Sequence, residues 1–217
     1  PPELESLGEL GKALGTHIEA RVGGFDERLL EGASQIVVSP GVSLNEPFLR
    51  RAAARGLEIV GDIELFARAV KAPVVGVTGT NGKSTVTTLI ASMAEADGRR
   101  VRAGGNLGEP ALDLLDAPGT EAGELYVLEL SSYQLELVPS LACRVAVLLN
   151  LTPDHIDRHR DMAGYIAAKQ RIFQRQGGRD TAVIGIDDEP SRSLRDRLVA
   201  AGRQRVIAIS CREPVAG

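Results

Sequence analysis

At 217 residues and a formal net charge of −4, the chain is long enough for one large domain or two small ones, and it carries no Lys/Arg cluster dense enough for a nucleic-acid surface. No apolar run approaches the roughly 18 residues of a membrane span and no signal peptide is visible, which leaves the cytoplasm as the default, with no membrane or nucleic-acid partner expected. The two cysteines, Cys143 and Cys211, lack metal-ligand spacing and fit a reducing compartment, although a single disulfide stays open.

The chain starts at Pro1-Pro2 without an initiator Met or an evident first strand, so it reads as a fragment. Residues Leu4 to Leu14 are weakly periodic, and Phe25 to Leu30 suit a short helix. Gln35 to Ser39 reads as a parallel-type strand that stops at Ser39-Pro40-Gly41, where proline lacks a donor and glycine frees the backbone. Open α/β sheets bind ligands at such strand ends. Asn45 is expected to cap a helix that has Pro47 in its first turn and ends at Ala54 before Gly56. A strand over Leu57 to Val60 follows, and then Asp62 is expected to cap a short helix through Ala69. This alternation predicts part of a small α/β domain over 1–71, with a second domain from about residue 72.

Pro73 to Val77 is short, β-branched and bounded by Pro and Gly, and so reads as a buried strand. From Ser84 the apolar residues Val86, Leu89, Ile90 and Met93 fall at helical spacing. Between them run Gly79, Thr80, Asn81 and Gly82, followed by Lys83, Ser84 and Thr85. A strand, a glycine loop and a helix opening on Gly-Lys-Ser form a phosphate-binding loop, because backbone N–H groups unobstructed by Cβ atoms can close on phosphate oxygens. The usual spacing puts its first glycine at Val77; here Gly76 and Gly79 flank that slot. Lys83 offers an ammonium to the β- and γ-phosphates, and the hydroxyls of Ser84 and Thr85 can reach a phosphate-bound Mg²⁺. A plain glycine turn would explain the glycines but not a lysine followed by two hydroxyls.

Arg100 to Ala103 reads as the next strand, running into Gly104-Gly105-Asn106-Leu107-Gly108, which is either a tight turn or a place where backbone approaches a ligand. Leu125 to Leu130 is apolar except for Glu129, placed as a Walker-B-like acid would be to hold Mg²⁺ or its water. The bland reading of Glu129 is a carboxylate on an open edge strand. Val145 to Leu149 is a further apolar strand, and it delivers Asp154, His155, Asp157 and His159 within a few residues. His155 and His159 have the spacing of a zinc pair, but Pro153 and the missing third ligand weaken it, and a single hard-metal contact from His155 is preferred.

The expected helix from Asp161 to Gln174 has an apolar stripe of Met162, Tyr165, Ile166, Ile172 and Phe173, and Lys169 occupies the middle of it. Lysine is rare here, with four against twenty-one arginines. A lysine on an apolar face snorkels out, finds a partner or is chemically altered. Thr181 to Ile186, Glu189 to Ala200 and Arg205 to Ile209 complete the pattern as strand, helix and strand. The fold class expected is α/β: a parallel-sheet P-loop ATPase domain of five or six strands, preceded by part of a small Rossmann-like α/β domain.

Five stretches, Gly79 to Thr85, Gly105 to Gly108, Glu129 to Glu136, Asp154 to Arg158 and Ala168 to Phe173, together resemble the Mur ligases of peptidoglycan synthesis. Glu-Leu-Ser-Ser-Tyr-Gln-Leu-Glu resembles the branch that adds D-glutamate; the phosphate loop is shared with folylpolyglutamate synthases. The resemblance implies an ATP- and Mg²⁺-dependent, monomeric ligase acting on UDP-N-acetylmuramoyl-L-alanine and D-glutamate through an acyl phosphate. It implies phosphate contacts from Gly79 to Thr85, with Lys83, His155 and Lys169 in catalysis. Ser84 and Glu129 would serve one Mg²⁺, and His155 with a carbamate on Lys169 a second. Ser39, Pro40, Gly41, Asn106, Ser131 and Gln134 would meet the UDP-sugar. It also implies that the start of a first domain and a closing third domain lie outside this sequence. The competing readings are a folylpolyglutamate-synthase-like ligase, a P-loop kinase or GTPase, and a module that binds nucleotide without turning it over.

Overall fold

A computed structural model of the chain describes residues 12, 15, 16, 18, 21–115 and 124–215. The described residues fall into two compact units, 21–36 with 44–58 and 37–43 with 59–215. The stretch Leu4 to Leu14 lies outside the described residues, apart from Lys12.

In the first unit, Asp26 caps a 3-10 turn over Glu27–Leu30 by accepting from the Arg28 N–H. Helix α1 spans Pro47–Ala54 and buries Phe48, Leu49 and Ala52, with the Phe25 and Phe48 rings stacked 5.1 Å apart. Its N-cap is Glu46, without a side-chain cap bond, rather than the expected Asn45. The Asn45 Oδ1 is engaged instead by the Arg50 guanidinium. Strands β1 (Gln35–Val37) and β2 (Glu58–Val60) pair as a two-stranded sheet.

The second unit is built on a six-stranded sheet. Its strands are β3 (Val74–Thr78), β4 (Val101–Gly105), β5 (Leu125–Glu129), β6 (Val145–Leu148), β7 (Thr181–Gly185) and β8 (Arg205–Ile209), in the order β4-β5-β3-β6-β7-β8, and every neighbouring pair is parallel. Parallel strands buried on both faces read as continuous apolar runs, which is why β3, β5 and β6 were legible from composition. Their residues alternate between two layers. Val74, Tyr126, Leu128, Leu148 and Ile184 belong to the larger cluster with Ile63, Phe66, Tyr165 and Ile172. Val75, Val77, Val127 and Val147 form the opposite layer with Ala91, Val86 and Ile90.

Helix α2 (Asp62–Ala69), assigned by the sequence pattern to the first domain, groups with this second unit. Its Ile63 and Phe66 are fully buried there, and its Glu64 accepts from the Ser140 N–H at 2.9 Å. Gly61, not Asp62, stands at its N-cap. Helix α3 (Lys83–Ala96) follows the phosphate loop, and α4 (Ser132–Leu135) and α5 (Ile156–His159) are single turns near the strand ends. Helix α6 covers Met162–Gln170, where the sequence suggested one helix to Gln174; the chain tightens to 3-10 over Arg171–Phe173. Helix α7 (Glu189–Ala201) is capped by Asp188, which accepts from the Ser191 N–H, and ends at the left-handed Gly202.

Candidate active site

The centre of the sheet delivers the phosphate loop. Gly79 takes φ 150°, which favours glycine, and a Cβ there would lie 3.0 Å from Leu149 Cβ, so a side chain would press on the residue just past β6. Gly82, at φ 83°, is the N-cap of α3 and supplies no capping side chain. The first-turn amides of a 14-residue helix are thus left for an anion. Asn150, just past β6, holds the loop in shape: its Oδ1 accepts from the Thr80 and Asn81 N–H groups at 3.1 and 2.9 Å, and its Nδ2 donates to the Asn81 carbonyl at 3.1 Å. Lys83 Nζ donates to the Thr80 carbonyl at 3.0 Å, while Thr85 stays exposed on the first turn.

Glu129 ends β5, an interior strand beside β3, and is almost fully buried, which removes the edge-strand reading. Ser84 Oγ donates to one of its oxygens at 2.7 Å and Asn106 Nδ2 to the other at 2.8 Å. The glycine-rich turn after β4 therefore aims an amide at the acid beside the phosphate loop.

Lys169 does not snorkel. Its side chain is 2% exposed, with Nζ donating to the Gly79 carbonyl at 2.9 Å and to Thr78 Oγ1 at 3.2 Å, and lying 4.9 Å from the Tyr165 ring centroid. Burial, and after it the charge of Lys83, lowers its pKa from 10.5 to about 7. Tyr165 closes the same corner, its hydroxyl 3.0 Å from Thr80 Oγ1, and burial raises its pKa so that the phenol stays protonated.

These groups converge on a cavity of about 370 Å³ whose lining includes Lys83, Asn106, Ser131, Tyr133, His155 and Lys169. Pro40 and Gly41 also line it, whereas Ser39 is exposed and its carbonyl accepts from the Val42 N–H. His155 stands at the wall in the left-handed region, φ 51°, its ring tilted against Tyr133 at a centroid distance of 4.9 Å. Gln134 turns inward: its Oε1 accepts from the Ser131 N–H in a capping box and its Nε2 donates to Asp62. His159 is buried against Ser132 and Glu136 rather than paired with His155 as zinc ligands would be. A second cavity of about 560 Å³ opens on the other side of the loop, from Asn81 and Gly82 to Gly185, Asp187 and Arg212 at the ends of β7 and β8.

Among the described residues no group of three or more His, Cys, Asp and Glu could hold a metal by itself. Mg²⁺ needs no such group, since it keeps several waters and takes one or two protein oxygens plus substrate phosphates. The Ser84 hydroxyl and the Glu129 carboxylate, already 2.7 Å apart, form such a partial oxygen set.

Sequence reasoning missed Asn150, Thr78, Tyr133 and Tyr165. The signal for Asn150 was its place directly after an apolar strand; for Tyr165, it was the polar tip of a ring in the stripe that also holds Lys169.

With this geometry in hand, comparison with known proteins defines the class. The model described as Mur ligase middle domain matches residues 77–216, and that described as Mur ligase MurD-like, N-terminal domain matches residues 1–61. The chain belongs to the Mur ligase family. Among curated relatives, the UDP-N-acetylmuramoylalanine--D-glutamate ligase of Nitrosococcus oceani is 55% identical over 188 residues, covering 87% of this chain and 39% of that protein. The protein of the same name from Marinobacter nauticus is 48% identical over 199 residues, covering 91% and 42%. The chain spans about two fifths of the length of these curated relatives.

Solved structures share the fold. UDP-N-acetylmuramate:L-alanyl-gamma-D-glutamyl-meso-diaminopimelate ligase from Neisseria meningitides superposes with TM-score 0.57 at 18% identity, over 93% of this chain and 65% of that one. MurF ligase from Thermotoga maritima, solved in complex with ADP, gives 0.53 at 20% identity, over 85% and 49%.

Proposed function

We propose that this chain is the nucleotide-handling part of an ATP-dependent ligase that adds D-glutamate to UDP-N-acetylmuramoyl-L-alanine in peptidoglycan synthesis, working as a monomer in the cytoplasm. The observation that carries the reading is the convergence of Lys83, Asn106, His155 and Lys169 on one cavity, beside the hydrogen-bonded pair Ser84 and Glu129. A kinase or GTPase has no use for a buried lysine at the far side of its phosphate loop. The names carried by the Nitrosococcus and Marinobacter relatives support the choice of amino acid and acceptor.

In this reading a carboxylate oxygen of the alanyl group attacks the γ-phosphorus of ATP and ADP departs. The amine of D-glutamate then attacks the acyl carbon of the resulting acyl phosphate, phosphate leaves, and the amide forms. Lys83 and the amides of residues 79 to 85 hold the phosphates and offset the charge that develops on the transferring group. Pro40, Gly41, Asn106 and Ser131 face the UDP-sugar; Ser39 and Gln134 shape that wall through the turn after β1 and the start of α4. The second cavity, contiguous with Asn81, accommodates the remainder of the nucleotide. Bound Mg²⁺ supplies charge neutralisation at the phosphoryl oxygens, with Ser84 and Glu129 suited to one ion and His155 with a modified Lys169 to a second.

The modification proposed is a carbamate. The neutral Nζ lone pair attacks the carbon of CO₂, an N–C bond forms, and one amine proton leaves to solvent, giving an anionic oxygen donor in place of an ammonium. Lys169, with a pKa of about 7, has the neutral amine this needs at ordinary pH.

The test is phosphate release and amide formation by the full-length protein and by this chain, with and without UDP-N-acetylmuramoyl-L-alanine plus D-glutamate. D-glutamate-dependent amide formation by the full-length protein, and Mg²⁺-nucleotide binding with little amide by this chain, are expected. Phosphate release indifferent to D-glutamate would overturn the reading.

A further inference from the structure

Helix α5 is a single turn between two non-glycine residues in the left-handed region, His155 at φ 51° and Arg160 at φ 71°, and its one buried residue is His159. A segment so conformed persists only where its surroundings hold it; the His159 ring supplies part of that hold, beside Arg158, whose guanidinium lies 4.9 Å from the Tyr133 ring centroid. Nδ1 lies 3.3 Å from a Glu136 oxygen, whose carboxylate also accepts from Arg158 Nη2 at 2.7 Å. Nε2 lies 3.0 Å from Ser132 Oγ; because the carboxylate facing Nδ1 only accepts, the tautomer that suits both neighbours has its hydrogen on Nδ1 and accepts from the Ser132 hydroxyl at Nε2. Burial lowers the ring's pKa and keeps it in that state.

The ring also lies between two aromatic walls of the cavity. Its centroid is 5.7 Å from Tyr133, whose ring lies tilted against His155, and 5.5 Å from Tyr165, which reaches Thr80 of the phosphate loop. The geometry points to His159 as a positioning residue: by joining α4 to α5 through Ser132 and Glu136, it fixes Tyr133 and His155 at the cavity wall. Its kinetic consequence rests on the ligase reading, whereas its structural consequence does not.

Two measurements test it separately. The chain has three histidines, so side-chain imidazole NMR resolves each. The His159 ring should show a protonated Nδ1 and a bare Nε2, and His159→Phe, which keeps an aromatic ring but neither the Ser132 hydrogen bond nor the Glu136 contact, should shift and broaden the His155 signals. His159→Gln, able to bond Ser132 again, should return them partway. In the full-length ligase, His159→Phe should change kcat or the KM for the UDP-sugar by roughly tenfold or more, as a small displacement of positioned groups does, with the KM for ATP changed less and with partial recovery in His159→Gln. Unmoved His155 signals in a folded variant overturn the inference, as do unchanged kinetics in an active enzyme. Should His159→Phe not fold, Ser132→Ala removes the Nε2 bond with little change of volume, and it must move the same signals or the inference fails. A wild-type protein without ligation defeats the ligase reading alone, and the imidazole spectra still decide this one.

Discussion

Lys169 Nζ lies 2.9 Å from the carbonyl oxygen of Gly79, so a helix residue ninety positions down the chain closes onto the first glycine of the phosphate loop. The contact explains a lysine on an apolar stripe: its head reaches the end of β3 and lies 4.9 Å from the Tyr165 ring centroid. It also sets a cost whenever the amine is protonated, since the ammonium is then held where water is excluded.

Removing Lys83 separates chemistry from fold. Among the described residues its Nζ bonds the Thr80 carbonyl alone, so Lys83→Ala should alter stability by about 1 kcal/mol or less while abolishing turnover in the full-length enzyme. Thermal melting beside phosphate release checks both halves, and normal turnover would contradict the phosphate-loop role.

For Lys169, the carbamate proposal makes a rescue prediction. Lys169→Ala should inactivate the full-length enzyme, and added acetate, a small carboxylate able to occupy the vacated space, should restore part of the rate. Chloride at equal ionic strength should not.

The same lysine predicts how stability follows pH. Its folded pKa, about 7, lies below the ordinary 10.5, so between those values the unfolded chain binds more protons and stability rises with pH. Below about 7 the lysine is charged in both states and the full burial penalty applies. Comparing melting temperatures at pH 7 and pH 9 should show a larger rise in the wild type than in Lys169→Met, under CO₂-free buffer. Equal rises would contradict the shift.

Asn150 is expected to matter as much as the glycines. Asn150→Ala deletes three hydrogen bonds that shape the loop, at about 1 kcal/mol each, and should weaken Mg²⁺-ADP binding about tenfold or more by calorimetry. Asn150→Asp should recover only part, because it keeps the acceptors and loses the donor to Asn81.

Thiol chemistry gives a check on the core. Cys143 is buried and its thiol is pushed up to about 12 by desolvation, whereas Cys211 is exposed. A thiol-reactive dye should label one equivalent in the native chain and two in denaturant. Two fast equivalents under native conditions would mean the sheet is not closed around Gly76 and Cys143.

What could be read from sequence was local chemistry set against local pattern. Val74 to Thr85 declared itself because strand, glycines, lysine and hydroxyls are contiguous, and Glu129 and Lys169 stood out as charges on apolar runs. The relations spanning the sheet were not legible. Asn150 bonds Thr80 across seventy positions, and Gln134 turns toward Asp62 because α2 packs beside α4. Both depend on which strand lies next to which. The cap at Glu46 and the tightening of α6 at Arg171 escaped for a different reason: each is a choice among neighbouring residues of similar propensity, settled by packing. His159 looked like a candidate ligand because spacing alone does not reveal that Ser132 and Glu136 already occupy its ring.

The central place of β3 has a consequence for how the chain is made. Its partners are β5 and β6, with Val74 opposite Tyr126 and Val75 opposite Val145, so synthesis must proceed about fifty to seventy residues further before either neighbour exists. At roughly 5–20 residues per second, Val-Val-Gly-Val-Thr waits several seconds as an apolar, β-branched segment with nothing to pair with. Such segments nucleate intermolecular strands when they contain neither proline nor glycine. Pro73 stands immediately before this one and Gly76 interrupts it, so residues that fit the finished loop and sheet also guard the nascent chain from its own copies on neighbouring ribosomes.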